Sequence, residues 1–368
     1  MDDEGRAPLE TRYRLRELGV NIGKFETGKW NGITDVEGVL VGQLTLSYEL
    51  SGGKFAQTGV TAILPHPGNI FQEKVLGSYY VINGFGKTVG SVQLQELGLI
   101  ESPIVLTNTL SVPAAAEGTI RYLLEQNKDI GDTTGTVNVI VGECNDGYLN
   151  DIRGLHVKPE DVYKTIQSAK SEMIEEGCVG AGTGMSCFGY KGGVGTSSRK
   201  ASFHSESYTV GALVVSNFGK REDFHFPYCI PTAVLIGEQN DENGPDGSIM
   251  IVIATDAPVS ERQLHRIAKR AAFGLARTGS YAAHGSGDIV ISFSTAHRFP
   301  HYPTALTNTC SYLVESGEYI SRLFEMTVEA VEEAIWNSLC KATTIRGQYG
   351  RIRHAIPYEN MGFTSKEI

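Results

Sequence analysis

No apolar run in this sequence approaches the ~20 residues that a membrane-spanning helix needs, so no membrane partner is expected. The opening stretch MDDEGRAPLETRYRLRELG is charged and lacks an apolar heart, which argues against a secretory signal. Six cysteines (Cys144, Cys178, Cys187, Cys229, Cys310 and Cys340) are scattered, with no Cys-x-x-Cys pair and no framework spacing. They are expected as reduced, mostly buried thiols of a cytoplasmic protein. Positive charge is scarce too: 32 Lys and Arg face 42 Asp and Glu, for a formal net charge of −10. Nucleic acid is a poor partner for such a chain, because phosphate neutralisation needs clustered cations. The basic clusters are short, such as Arg-Ile-Arg-His from Arg351, and read as solvated surface. His297 and His301 are four apart, but Pro300 stands between them and no His-Glu-x-x-His pattern exists. Neither a metal nor another cofactor is expected.

What is present is an ordinary globular composition, 41 % hydrophobic and 20 % charged, with 43 glycines dispersed among apolar segments. A helix is expected over residues 260–278, opened by a Ser260/Gln263 capping box and stopped at Gly279. Others are expected over 159–176, 327–342, 113–126 and about 89–97. Apolar, β-branched runs at 60–64, 136–142, 209–216, 232–237, 248–254 and 289–293 read as central strands. Strands and helices mix along the whole length without a linker, which predicts one α/β domain of layered sheets and helices.

The glycine-rich segment 177–199 fails the tests for a phosphate loop, a dinucleotide fingerprint and a nucleophile elbow. It reads instead as a loop of close backbone contacts. More telling are the places where apolar strands meet small polar groups. The run ending at Gly142 empties into Glu143, Asn145, Asp146, Asn150 and Asp151, and Asn217 stands just past another run. Ser286 and Asp288 lie two apart at a strand mouth, so both can point to one face. At a fourth joint, the turn-rich QNDENGPDG gives way to the apolar SIMIVIA, so that a buried strand opens with Ser248 behind Gly247. Turn chemistry alone explains such a joint in most proteins. A break before Ser248, however, would leave a hydroxyl and a free α-amine on one Cα. That amine, with a reference pKa of roughly 7.7–8.0, can take the hydroxyl proton at neutral pH without a histidine. A glycine ahead of the serine suits the backbone distortion that attack on its own carbonyl requires.

The segments WNGITDVEGVLVGQ, ECNDGYLNDIRG, GAGTGMSCFGYKGGVGTSSR and GPDGSIMIVIATDAP occur in that order. Together they closely resemble the family of L-aminopeptidase/D-amidase-esterases and β-peptidyl aminopeptidases, from about Gly19 to Tyr358. The resemblance implies a four-layer αββα sandwich, similar to N-terminal-nucleophile hydrolases but with different strand connectivity. It also implies self-cleavage at Gly247-Ser248 into 1–247 and 248–368, a homotetramer of the cleaved pairs, and small peptide, amide or ester substrates. Carried over residue by residue, Ser248 is the nucleophile, and Ser286 and Asp288 orient and tune its amine. Asn217 stabilises the oxyanion, and Glu143 grips the substrate's amino group. Some relatives have Glu where Asp288 stands, so the reach is shorter here. A position where some members carry a catalytic tyrosine is Asn145 in this chain, which leaves the second donor to the reacting carbonyl open. Two other readings stay open: an acyltransferase resembling ornithine acetyltransferase, whose nucleophile is threonine, and a non-catalytic binding protein in which Gly247-Ser248 is only a turn.

Overall fold

The structure, a computed structural model, describes residues 11–228, 247–315 and 317–363. In chain order it forms β1 (Leu40–Leu50), β2 (Lys54–Leu64), β3 (Glu73–Gly84), α1 (Ser91–Leu97), β4 (Leu99–Ile100), β5 (Ile104–Asn108), α2 (Val112–Gln126), β6 (Ile140–Cys144) and α3 (Pro159–Gln167). There follow β7 (Ser186–Cys187), β8 (Tyr190–Lys191), β9 (Gly193–Phe203), β10 (Glu206–Asn217), β11 (Ser248–Thr255), α4 (Glu261–Ala268) and α5 (Ala271–Arg277). The described chain ends with β12 (Gly287–Pro300), α6 (Gly317–Cys340), β13 (Ile345–Arg346) and β14 (Ile352–Arg353).

Four strands make one sheet in the order β1-β2-β5-β6, and six make a second in the order β4-β3-β12-β11-β10-β9. Side chains alternate between faces along a strand, and the core follows that period. On β11, Met250, Val252 and Ala254 join Ile63, Ile104 and Leu106 of the four-stranded sheet in the layer between the sheets. Ile249, Ile251 and Ile253 point the other way, into a cluster with Leu264, Leu275 and Ile335 of α4, α5 and α6. Val60, Ala62 and Val105 on the far face of the small sheet pack with Ala115, Val162 and Ile166 of α2 and α3. The result is helix, sheet, sheet, helix: the expected four layers. Among the described residues no helix is long and apolar enough to cross a membrane.

Several expected elements changed shape. The helix over 260–278 is two helices, because Arg270 N bonds to Ile267 O while the Arg270 side chain takes Arg266 O, the acceptor a continuous helix would use. The capping box at Ser260 is present. The helix from Pro159 stops at Gln167, since Lys170 leaves it to exchange two backbone hydrogen bonds with Val41 on the edge strand β1. The glycine-rich segment is not all loop: from Gly193 it is a long strand. A Cβ on Gly195 would lie 1.9 Å from Ala334 O, so glycine there is what lets the α6 backbone lie against β9. The strand expected at 136–142 runs over Ile140–Cys144 and is an edge of the smaller sheet, covered by a bridge between Val89 and Val141. The strand expected at 232–237, Cys229 and most of the turn before Gly247 lie outside the described residues. The five described cysteines are free thiols.

Candidate active site

Ser248 is the first residue of β11, and its parity with Met250 and Val252 turns its side chain toward the space between the sheets. It is 6 % exposed, at the mouth of that layer. Its register partners are Asn217 on β10 and Gly287 on β12. The Gly287 N–H is shared between Ser248 Oγ and the Gly247 carbonyl oxygen, each at 3.3 Å. One donor therefore holds the serine oxygen beside the carbonyl that precedes it. A Cβ on Gly247 would stand 2.3 Å from Phe218 Cα and 2.6 Å from Asn217 O, so no larger residue fits ahead of the serine.

Asn217 is clamped at both ends of its amide. Its Oδ1 accepts from Ser186 N at 2.8 Å, and its Nδ2 donates to Asn145 O at 3.0 Å. An amide nitrogen carries two hydrogens, so a second one remains for an oxygen developing charge at the Ser248 mouth. Asn145 contributes its backbone, while its Oδ1 closes its own turn by accepting from Gly147 N at 2.9 Å. The neighbouring Tyr148 is stacked under Arg353, with the guanidinium 3.6 Å from the ring centre.

Ser286 and Asp288 do meet: Ser286 Oγ donates to Asp288 Oδ1 at 2.6 Å. Asp288 pairs with Ile249 in the parallel register, one residue from the serine. Burial raises its pKa to about 6, against hydrogen bonds from Ser286 and the Ile249 backbone that pull it down. Asp288 Oδ2 has no hydrogen-bond partner among the described residues. A buried carboxyl with an open oxygen beside the serine backbone can hold and orient a protonated amine there.

Glu143, 4 % exposed, lies inside β6 rather than after it. Its Oε1 accepts from Lys87 N at 2.9 Å and its Oε2 from the Thr109 hydroxyl. A Cβ on Gly86 would fall 3.7 Å from Glu143 Oε1 and 3.8 Å from Gly287 Cα, which puts the carboxyl next to the strand that flanks Ser248. Asp146 is fully buried close by. Burial raises its pKa to about 7, opposed by hydrogen bonds from Thr58 and Asn150 and reinforced by Glu143. No lysine or arginine among the described residues forms an ion pair with Glu143, Asp146 or Asp288. No metal-binding group of His, Cys, Asp and Glu occurs among them either.

Of the residues singled out in the sequence, Gly247, Asn217, Ser286 and Asp288 adjoin Ser248 along the sheet and Asn145 bonds to Asn217, whereas Asp151 pairs with Lys54 and Asn150 with Gln57. Four further contributors were not foreseen: the Gly287 N–H, Ser186, Thr109 and Asp146 in its buried state. Thr109 had a readable signal. It follows the apolar run of β5 as Asn145 follows β6, and the two strands are parallel with Asn108 opposite Cys144. Their polar exits therefore emerge side by side.

Comparison with known proteins agrees with this fold. The model of peptidase family S58 matches residues 31–353. A β-peptidyl aminopeptidase, BapA of Sphingosinicella microcystinivorans, is 38 % identical over 366 residues, covering 95 % of this chain and 90 % of its own. The solved PH0078 protein of Pyrococcus horikoshii OT3 superposes with a TM-score of 0.87 at 52 % identity, covering 95 % of this chain and 97 % of the other. The L-aminopeptidase D-Ala-esterase/amidase of Ochrobactrum anthropi, described as a variant of the Ntn-hydrolase fold, superposes with a TM-score of 0.83 at 34 % identity over 95 % and 96 % of the two chains. Ser248 at its strand mouth, with Asn217 on β10 and the Ser286–Asp288 pair at the start of β12, lies in a fold shared with these proteins: the chain belongs to peptidase family S58.

Proposed function

We propose that this protein is a self-processing aminopeptidase that releases the N-terminal residue of short peptides, amides or esters through an acyl-enzyme on Ser248. The observation that carries the reading is the shared Gly287 N–H, which keeps Ser248 Oγ and the Gly247 carbonyl together. In processing, Oγ attacks that carbonyl, the amide nitrogen of Ser248 leaves as an amine, and water hydrolyses the resulting ester. Gly287 N–H stabilises the oxyanion. Afterwards the freed α-amine of Ser248 serves as the base, since no histidine among the described residues hydrogen-bonds the serine. Asp288, paired with Ser286, orients that amine.

In turnover the substrate ammonium docks on Glu143, which brings only the first peptide bond to Oγ. Asn217 Nδ2 and Gly287 N–H share the charge of the tetrahedral oxygen, so Gly287 takes the donor role left open by Asn145. The N-terminal residue can be an L-, D- or β-amino acid, and a panel of the three types ranks them. The cleaved pair is read as the unit of a cytoplasmic homotetramer, which light scattering on the purified protein checks.

Intact-mass spectrometry tests the core of the reading. Cleavage after residue 247 of the 368 leaves fragments of 247 and 121 residues, and both masses are expected. Ser248→Ala is expected to remain one chain with no turnover. A wild-type chain that stays whole while fully active would overturn the mechanism.

A further inference from the structure

Ser248 has a different charge environment on each side. In the six-stranded sheet β11 lies between β12 and β10. On the β12 side stands Glu143, beside Gly86 and Gly287. On the β10 side a chain of contacts leads to arginine. Asn217, the register partner of Ser248, accepts from Ser186 N, and Ser186 Oγ accepts from Arg353 Nε at 3.1 Å. The Arg353 guanidinium lies 3.6 Å from the centre of the Tyr148 ring, and that of Arg351 lies 5.1 Å from the same ring. Arg351 Nη1 also donates to Tyr148 O at 3.2 Å. Tyr148 itself is fixed, since the Gly147 N–H closes the turn on Asn145 and Gly147 O accepts from Gln348 Nε2 at 2.7 Å. Arg351 is exposed, and no carboxylate among the described residues forms an ion pair with it.

We infer that Arg351, with Arg353 beside it, receives the C-terminal carboxylate of the substrate, so that the preferred substrates are tripeptides with a free carboxyl end. This rests on the aminopeptidase reading and adds the leaving side to it. The dimensions agree. Strands are spaced about 4.8 Å apart, so a site reaching from beyond β12 to beyond β10 spans roughly 10–15 Å. An extended chain advances about 3.3–3.6 Å per residue, which puts the two charged ends of a tripeptide roughly 10 Å apart. With its ammonium on Glu143 and its first carbonyl at Ser248, the carboxylate of such a peptide arrives at the arginines. A guanidinium is a planar fork that matches a carboxylate in two hydrogen bonds, and an aromatic face beneath it limits the freedom lost on binding. In a chain of net charge −10, this is a local positive spot placed where a zwitterionic substrate needs one.

The test compares tripeptides ending in a free carboxylate with the same tripeptides ending in a carboxamide, and adds an amino-acid p-nitroanilide that has no carboxylate. The wild type is expected to favour the free acid over the amide by about ten-fold or more in kcat/KM, mainly through KM, as for a hydrogen-bonded charge. In Arg351→Gln that ratio is expected to fall toward one. Arg353→Lys, which keeps the charge but loses the fork, is expected to lower it in part. Taking the ratio within each variant cancels any loss of folded enzyme. Equal rates on acid and amide by a wild type that cleaves the p-nitroanilide would overturn this inference and leave the aminopeptidase reading standing. A ratio unchanged in both variants would overturn it as well. Failure of the wild type to cleave any of the three would overturn both readings.

Discussion

Behind the six-stranded sheet, Arg199 is fully buried and donates to Glu329 at 2.9 Å and to Glu333 at 2.7 Å. Arg16 adds a second cation to Glu333 at 2.8 Å. At the mouth of β11, Glu143, Asp146 and Asp288 are equally buried and lack such partners among the described residues. The consequences for the two groups are opposite. Burial pushes the Glu333 carboxyl up, but Arg199 and Arg16 more than offset it, and its pKa lies below the ordinary value. Burial carries Asp146 to about 7 and Asp288 to about 6 with nothing comparable to oppose it. The first group is complete as it stands. The second holds its carboxyls by backbone, hydroxyl and amide donors alone, which under the proposed mechanism leaves them to meet a substrate ammonium and the amine of Ser248.

The largest effect is expected where the complete group is broken. Arg199→Met keeps most of the volume but leaves two buried carboxylates short of their shared partner. Such a loss costs about 3–5 kcal/mol, to be read from urea unfolding. Arg199 also donates to Ile22 O at 2.9 Å, and Glu329 accepts from Lys24 N at 3.0 Å, so the network ties the amino-terminal segment to α6. A loss below about 1 kcal/mol, the scale of a surface pair, would mean that the two groups do not differ as described.

The contrast also explains what the sequence could reveal. Residues of the site were legible because each marks a sharp change from an apolar run to a polar exit, and several such exits are brought together by one end of the sandwich. Arg199 and Glu329 are 130 positions apart, and no local pattern announces that a β9 arginine meets an α6 glutamate. The same is true of β9 as a strand. Its run Gly-Val-Gly-Thr-Ser-Ser-Arg is polar and glycine-rich, yet every residue of it is buried, because α6 supplies the packing and the ion pairs supply the polar partners. Periodicity reads a strand only when the strand carries its own apolar face. Asp146 was visible as one of several acidic residues, but its displaced pKa depends on the walls that the fold builds around it.

A smaller effect, confined to function, is expected at Glu143. Glu143→Gln keeps the shape and the acceptor for Lys87 N while removing the charge. If the carboxylate holds a substrate ammonium, kcat/KM on free-amine substrates should fall by about 10- to 100-fold, the worth of one hydrogen bond to a charged group. Self-processing involves no free amine and should proceed unchanged, which intact mass reads directly. Equal hydrolysis of N-acetylated and free-amine substrates by the wild type would remove Glu143 from recognition.

The last effect, at Asp146, is one of stability, and its sign is set by pH. The ordinary carboxyl value of 3.8 describes the unfolded chain, and the folded value is about 7. At pH below 4 the group is protonated in both states and contributes no difference. As pH rises from 4 to 7 the unfolded chain is already ionised while the fold still holds the proton, so ionisation opposes folding progressively and the full cost stands above 7. Asp146→Asn removes that cost and keeps an oxygen to accept from Asn150 Nδ2, now at 3.0 Å from Asp146 Oδ1. Relative to wild type the variant should therefore gain stability between pH 5 and pH 8. Each pKa unit is worth about 1.4 kcal/mol, and the two units crossed between pH 5 and the folded value of about 7 set a gain of about 2–3 kcal/mol. Asp288 titrates in both proteins and cancels in the difference. Unfolding in urea at the two pH values measures it, and a variant that loses ground to wild type as pH rises would show that Asp146 is ionised and held in the fold, as Glu333 is.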